Sequence, residues 1–119
     1  MTRRVEKPWG HEEIWAHTSR YVGKLLFIRA GHRLSLQHHV KKEETLRVHS
    51  GLMLLEYGEA VDALSSREMG PGDVIHIPPG LIHRMSAIED VEVYEVSTTE
   101  LDDVVRHMDD YGREGTSDA

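Results

Sequence analysis

The chain has no cysteine. Disulfides and thiolate metal sites are therefore excluded, and the cytoplasm is the expected location. No apolar run approaches the length of a membrane span. Arg3 and Arg4 are not followed by an apolar stretch, so no secretory leader is expected. No repeat or low-complexity segment interrupts the 119 residues, a length suited to one domain with a modest core. Positive charge is scarce: 14 Lys and Arg against 21 Asp and Glu give a net charge of −7. General nucleic-acid binding needs a basic stripe, so that class is set aside. An anionic small molecule would have to be caught by a few well-placed cations.

Histidine is abundant, nine in all. Spacing decides which of them do chemistry. His11, His17, His32 and His107 read as surface residues, and His49 and His76 as strand residues. β-type apolar clusters surround Trp9, Ile14, Trp15 and Leu25 to Ile28, and Ala30-Gly31 ends the run. Leu46 to Tyr57 reads as two strands about a Ser50-Gly51 turn. Gly70-Pro71-Gly72 is a turn, Val74 to Ile77 a short strand ended by Pro78-Pro79-Gly80, and Val91 to Val96 another strand. Many short strands between turn signals predict a sandwich or barrel. Met53, Met69 and Met85 read as core filler. After Ser97 the period changes. Leu101, Val104, Val105 and Met108 fall at i, i+3, i+4 and i+7 behind the capping box Ser97-Thr98-Thr99-Glu100, which predicts a short helix over 99–109. Residues 114–119 are small and polar and are expected to form a flexible tail.

Strand parity sorts the candidate site. Arg33, Ser35, Gln37 and His39 share one face if 33–40 is a continuous strand, and His38, Leu34 and Leu36 take the other. Glu44 opens the next strand after Val40 to Glu43, and of the Glu43-Glu44 pair only Glu44 is expected to face inward. The outward Leu34 and Leu36 suggest a sheet-to-sheet homodimer.

Two patterns carry the chemistry: Gly31-x5-Gln37-x-His39-x4-Glu44-x6-Gly51, and Gly72-x5-Pro78-x-Gly80-x2-His83. They resemble the two motifs of the cupin family. The resemblance implies an all-β, single-domain cupin spanning 1–119, with its core at about 7–113: a double-stranded β-helix, or jelly-roll barrel, with the short C-terminal helix added. It also implies that Gln37, His39, Glu44 and His83 hold a divalent metal. Two imidazoles, a carboxylate and an amide oxygen suit Zn, Mn, Fe, Co or Ni. Cupins usually carry His at the first position, where this chain has Gln37. A second arrangement puts His38 in that role through a strand slip.

The Gln-x-His pair, Lys7-Pro8-Trp9-Gly10, Arg33 to Gln37, Asp103-Val104-Val105-Arg106 and Asp110-Tyr111-Gly112-Arg113 resemble the cupin domain of type II mannose-6-phosphate isomerases. That resemblance implies interconversion of an aldose phosphate and a ketose phosphate, with a sugar phosphate as partner. The base would be Glu44, Glu95 or His76, and the phosphate would be met by Arg33 first and Lys24 second. A non-catalytic cupin that binds a sugar or sugar nucleotide, and a metal-dependent oxygenase, are the alternatives. Function lives in the site, not in the fold.

Overall fold

The computed structural model describes residues 2–115. In chain order its strands are β1 (Arg3–Lys7), β2 (Gly10–His17), β3 (Val22–Ile28), β4 (Leu36–His38), β5 (Glu44–Ser50), β6 (Met53–Gly58), β7 (Ser65–Met69), β8 (Val74–Ile77), β9 (Ile82–Ala87), β10 (Val91–Ser97) and β11 (Val105–Met108). They make a six-stranded sheet, β1-β2-β3-β10-β5-β8, and a five-stranded sheet, β11-β4-β9-β6-β7. Every pairing within the two sheets is antiparallel.

Period-two burial explains why two sheets form. Val22, Lys24, Leu26 and Ile28 of β3, Glu44, Leu46 and Val48 of β5, and Val91, Val93, Glu95 and Ser97 of β10 are all buried. One face of each strand must be covered, and the second sheet covers it. Leu26, Ile28, Leu46, Val48, Met53, Leu55, Met69, Met85, Val91 and Val93 interlock between the sheets. The three methionines are core residues. Gly51 turns β5 into β6 at φ +86°, and a Cβ there would collide with the Asp90 carbonyl, so glycine is required on both counts.

Two expectations of the fold are corrected. The hydrogen-bond ladders do not close into a barrel: β1 and β8 remain edges of one sheet, and β11 and β7 edges of the other. Alternation and turns specify strands and their buried faces but not whether the outer edges meet. Nor is there a helix among the described residues. The segment expected to be helical turns at Leu101 and Asp102 and then becomes β11. There Val105 pairs with His38, Arg106 with Gln37 and Met108 with Leu36. A helix this short is marginal by itself, and the free edge of β4 offers a ladder instead. The Asp103 carboxylate, ahead of β11, accepts the backbone N–H groups of Val40, Lys41 and Lys42 at 2.9, 2.6 and 2.8 Å.

Leu34 and Leu36, expected to face outward, are buried within the chain. The exposed large apolar side chains lie elsewhere, among them Trp15, Val74, Tyr94 and Val96 on the six-stranded sheet. Of the expected tail, Glu114 and Gly115 form a turn whose Gly115 N–H donates to the Arg106 carbonyl at 3.3 Å; residues 116–119 lie outside the described residues. No helix among the described residues is long and apolar enough to cross a membrane.

Candidate metal centre

The two sheets bring His39, Glu44 and His83 together. His39 follows the last residue of β4, Glu44 is the first of β5, and His83 is the second of β9. All three are buried, and a ligand atom from each lies within 4.8 Å of the others. His83 Nε2 is 3.1 Å from Glu44 Oε1, and His39 Nε2 is 3.4 Å from the same oxygen.

The ring nitrogens on the far side decide the tautomers. His39 Nδ1 donates to the Asp103 carbonyl at 2.6 Å, and His83 Nδ1 donates to the Leu81 carbonyl at 2.9 Å. A carbonyl only accepts, so each neutral imidazole presents a bare lone pair at Nε2. Neither Nε2 has a hydrogen-bond partner among the described residues. Two lone pairs and a carboxylate oxygen thus converge in a buried space, an arrangement that repels itself unless a cation or proton sits among them. Borderline metals take this donor set, and the outer hydrogen bonds to the imidazoles are those that orient metal ligands. The cluster fits a divalent metal ion.

The surrounding charges reinforce that fit. Burial raises the Glu44 pKa, but the His39 and His83 imidazoles, and then the Lys42 ammonium, hold it well below the usual carboxylate range. Lys42 Nζ lies 3.3 Å from Glu44 Oε2 and 3.0 Å from Glu95 Oε2. Burial works against the Lys42 charge, and Glu95 and Glu44 more than restore it, leaving the ammonium firmly protonated. Glu95 moves the other way: burial, followed by the Glu44 charge, pushes its carboxyl above the ordinary value. Lys42, Glu95 and Glu44 line one cavity with His39 and Gln37.

Gln37 sits beside His83 in strand register. Its Oε1 accepts the Ser35 hydroxyl at 2.5 Å, which fixes the amide. His38 faces away, its Nδ1 2.8 Å from His107 Nε2. Lys24 is buried in the same cavity and pairs with Glu12 at 3.3 Å. Arg33 is placed differently from the sequence expectation. It is bound in a fork by Asp110 at 2.7 and 2.9 Å, and it is not among the residues lining the cavity. The reason is local: Arg33 forms an isolated bridge with Ser86, and β4 begins only at Leu36, so parity does not carry from 33 to 37. His76 is exposed on β8 and meets Glu43, not Glu44, at 2.6 Å.

Sequence reasoning overlooked Lys42, which lies in the break before β5 where parity has no meaning. It also overlooked Glu12, a charged residue among buried neighbours on β2, although its alternation with Ile14 was a usable signal.

A two-sheet antiparallel fold enclosing a His, His and Glu cluster defines the class: the protein is a cupin. Residues 1–110 match the family described as mannose-6-phosphate isomerase C-terminal, and the chain belongs to that family. The xanthan biosynthesis protein XanB of Xanthomonas campestris is 33% identical over 116 residues, which are 93% of this chain and 24% of XanB. The mannose-1-phosphate guanylyltransferase ManC of Salmonella typhimurium is 32% identical over 118 residues, 95% of this chain and 24% of ManC. The chain thus spans about a quarter of the length of these curated relatives. Among solved structures, KdgF from Halomonas sp. superposes with a TM-score of 0.70 at 20% identity, covering 84% of this chain and 88% of that one. The oxalate decarboxylase of Bacillus subtilis, a protein with Mn(II) centres, gives 0.74 at 17% identity, covering 87% and 29%. At such identities the likeness is one of fold.

Proposed function

We propose that this cupin interconverts an aldose phosphate and a ketose phosphate, with mannose 6-phosphate the first substrate to test. The observation that carries the reading is that His39 and Glu44 of the metal-ligand cluster line one cavity with Lys42 and Glu95, which are ion-paired there. His39, Glu44 and His83, with Gln37 beside them, would hold the ion, which when bound supplies Lewis-acid polarisation of the substrate's carbonyl and hydroxyl oxygens.

The chain's own groups move the proton. Glu95 is the base, because Glu44 is committed to the metal site and His76 is on the outside. Its raised pKa makes it a stronger proton acceptor than an ordinary carboxylate. Glu95 takes the proton from the carbon next to the carbonyl; the C–H electron pair becomes a carbon–carbon double bond, and negative charge passes to the carbonyl oxygen. The hydroxyl proton on the adjacent oxygen passes to that charged oxygen, and Glu95 returns the carbon-derived proton to the former carbonyl carbon, which completes the exchange. Lys42 bridges Glu95 and Glu44 and keeps both positioned. The cavity has a volume of about 50 Å³, room for a few waters but not for a hexose. Entry of a sugar therefore requires part of the lining to move outward.

The 3.0 Å ion pair of Lys42 with Glu95, which engages the carboxylate assigned as base, is the observation that favours a second reading, in which the domain binds a sugar phosphate without turnover. The oxygenase alternative has less support, since cationic side chains stand among the apolar ones in the walls. The test is to strip the protein of metal, resupply Zn, Mn, Co or Ni, and follow fructose 6-phosphate formation from mannose 6-phosphate. The expected result is turnover that requires metal and is abolished in Glu95→Gln with metal content intact. Sugar-phosphate binding without turnover under any metal would establish the binding reading instead.

A further inference from the structure

The core between the sheets accounts for one face of each strand. The other face of the six-stranded sheet carries large apolar side chains in the open. Trp15 of β2 is 48% exposed and Val96 of β10 is 51% exposed, with Tyr94 of β10 at 37%. One of the chain's two tryptophans is thus half in solvent. Its position is built into the sheet. The register of β2 on β3 shifts between Ile14 and Ala16, so Trp15 is the extra residue of a β-bulge. Its ring lies over Gly23 of β3, where a Cβ would come within 2.8 Å of it. Bulge and glycine together seat the indole on the sheet's outer surface and leave half of it uncovered.

Charge is arranged about the same patch. Cross-strand register sets Glu13 of β2 beside Leu25 of β3, Leu25 beside Tyr94 of β10, and Tyr94 beside Arg47 of β5. Alternation turns all four outward, since their neighbours Glu12, Lys24, Val93 and Leu46 are buried. The row therefore reads acid, apolar, apolar, base. Arg47 is exposed and makes no hydrogen bond or ion pair among the described residues. Glu13 has His11 at 3.9 Å and feels the charge of Arg4, yet its side chain is still 38% exposed.

Such a row is its own complement. The sheet order β1-β2-β3-β10-β5-β8 has its midpoint between β3 and β10. A two-fold axis there, running along the strands in the plane of contact, lays β2 over β5 and β3 over β10 of a second copy. Glu13 of each copy then meets Arg47 of the other, and Leu25 meets Tyr94. Trp15 falls opposite Val96 and Thr45, which line a recess of about 300 Å³ together with Tyr21 and Arg20. Packed sheets keep their strands within about 30° of one another, which this arrangement allows. We propose that this face joins two copies of the chain in a symmetric dimer. Trp15, Leu25, Tyr94 and Val96 form its apolar centre, and reciprocal Glu13–Arg47 ion pairs set its register. Trp, Tyr and Arg are the side chains that carry most of the energy at protein interfaces. A charge of −7 on each copy opposes association, so opposite charges at the contact favour this pairing over others. Leu34 and Leu36, from which a homodimer was expected, are buried and take no part. The dimer does not depend on the isomerase reading.

Sedimentation equilibrium of the whole, metal-loaded chain over a range of concentrations tests this. The wild type should be a dimer that dissociates on dilution, with no larger species, because a two-fold contact closes on itself. Arg47→Glu sets like charges against each other at both ends of the contact and should weaken dimerisation roughly ten- to a hundredfold. Glu13→Arg should weaken it similarly, and the Glu13→Arg/Arg47→Glu double variant should recover most of the loss. Unfolding midpoints separate lost association from lost folding. Val96→Glu, at an exposed position, should also abolish the dimer, and it carries the test if Glu13→Arg, whose new charge faces Arg4, fails to fold. A chain that stays monomeric at every concentration would leave this face to another protein and overturn the proposal. A dimer that Arg47→Glu and Val96→Glu leave intact would overturn it too, as would a folded charge-swapped variant that recovers nothing.

Discussion

The space between the sheets has two unlike ends built on the same strands. At one end Leu26, Ile28, Val48, Leu55, Met69 and Val93 pack with almost no exposure. At the other, Glu12, Lys24, Lys42, Glu44 and Glu95 are buried to nearly the same degree, with His39 and His83 among them. β3 contributes Leu26 and Lys24, β5 contributes Val48 and Glu44, and β10 contributes Val93 and Glu95. Position along the strand alone separates hydrocarbon from charge. The apolar end stabilises by area removed from water. The charged end offsets desolvation only by pairing, and such pairs contribute little net stability while being costly to break. A fold that gives up part of its interior to charge does so at sites where function sets the residues.

Breaking the charged end should have the largest effect. Lys42→Met leaves Glu44 and Glu95 facing each other in a buried space and should cost about 3–5 kcal/mol in the metal-free protein. Chemical denaturation with and without metal measures it, and the loss should shrink when a metal's charge is present. Leu55→Ala at the apolar end should cost about 2–5 kcal/mol by leaving a cavity, with metal affinity of the folded protein unchanged. A change in metal affinity as large as that of the Lys42 variant would show that the two ends are not independent. Asp103→Ala should be milder for stability yet specific to the charged end. Its carboxylate holds the Val40 to Lys42 backbone that leads from His39 to Glu44, and metal affinity should fall about 10–100-fold. The smallest effect is expected at Arg33, whose pair with Asp110 is 41% exposed on each side. Arg33→Ala should cost under about 1 kcal/mol. The Arg33 hydrogen bonds hold the Asp110 carboxyl below its ordinary value despite some burial. Its contribution is therefore present above the unfolded carboxylate pKa, about 4, and is lost as pH falls through the lowered folded value. Unfolding midpoints measured across acid pH should show wild type and Arg33→Ala converging there.

The charged end was partly legible in the sequence and the apolar end largely so. The strands over Leu46 to Tyr57 and Val91 to Val96 were legible, Glu44 was expected to face inward, and Glu95, a candidate base, shares the buried parity of Val91 and Val93. Turn residues placed the breaks at Gly51, Gly72 and Gly80 because only special backbone conformations fit there. What the sequence hid was tertiary. Val104, Val105 and Met108 fit a helical period, yet Val105 and Met108 are exposed and the segment adds a strand to β4. Arg33 and Gln37 have the same parity but not the same face, since the strand between them is interrupted. Lys42, Arg106 and Arg113 reach the cavity from loops and an edge strand, where neither periodicity predicts direction. Closure of the sheets into a barrel was likewise beyond alternation to decide.

The central claim is that His39, Glu44 and His83 hold one divalent metal ion at the charged end. Elemental analysis of the remetallated protein, wild type against the His39→Ala/His83→Ala double variant, tests it most directly. The account predicts about one bound ion per wild-type chain, as expected for a single mixed nitrogen–oxygen site, and none in the folded double variant. Undiminished metal content in that variant would contradict it.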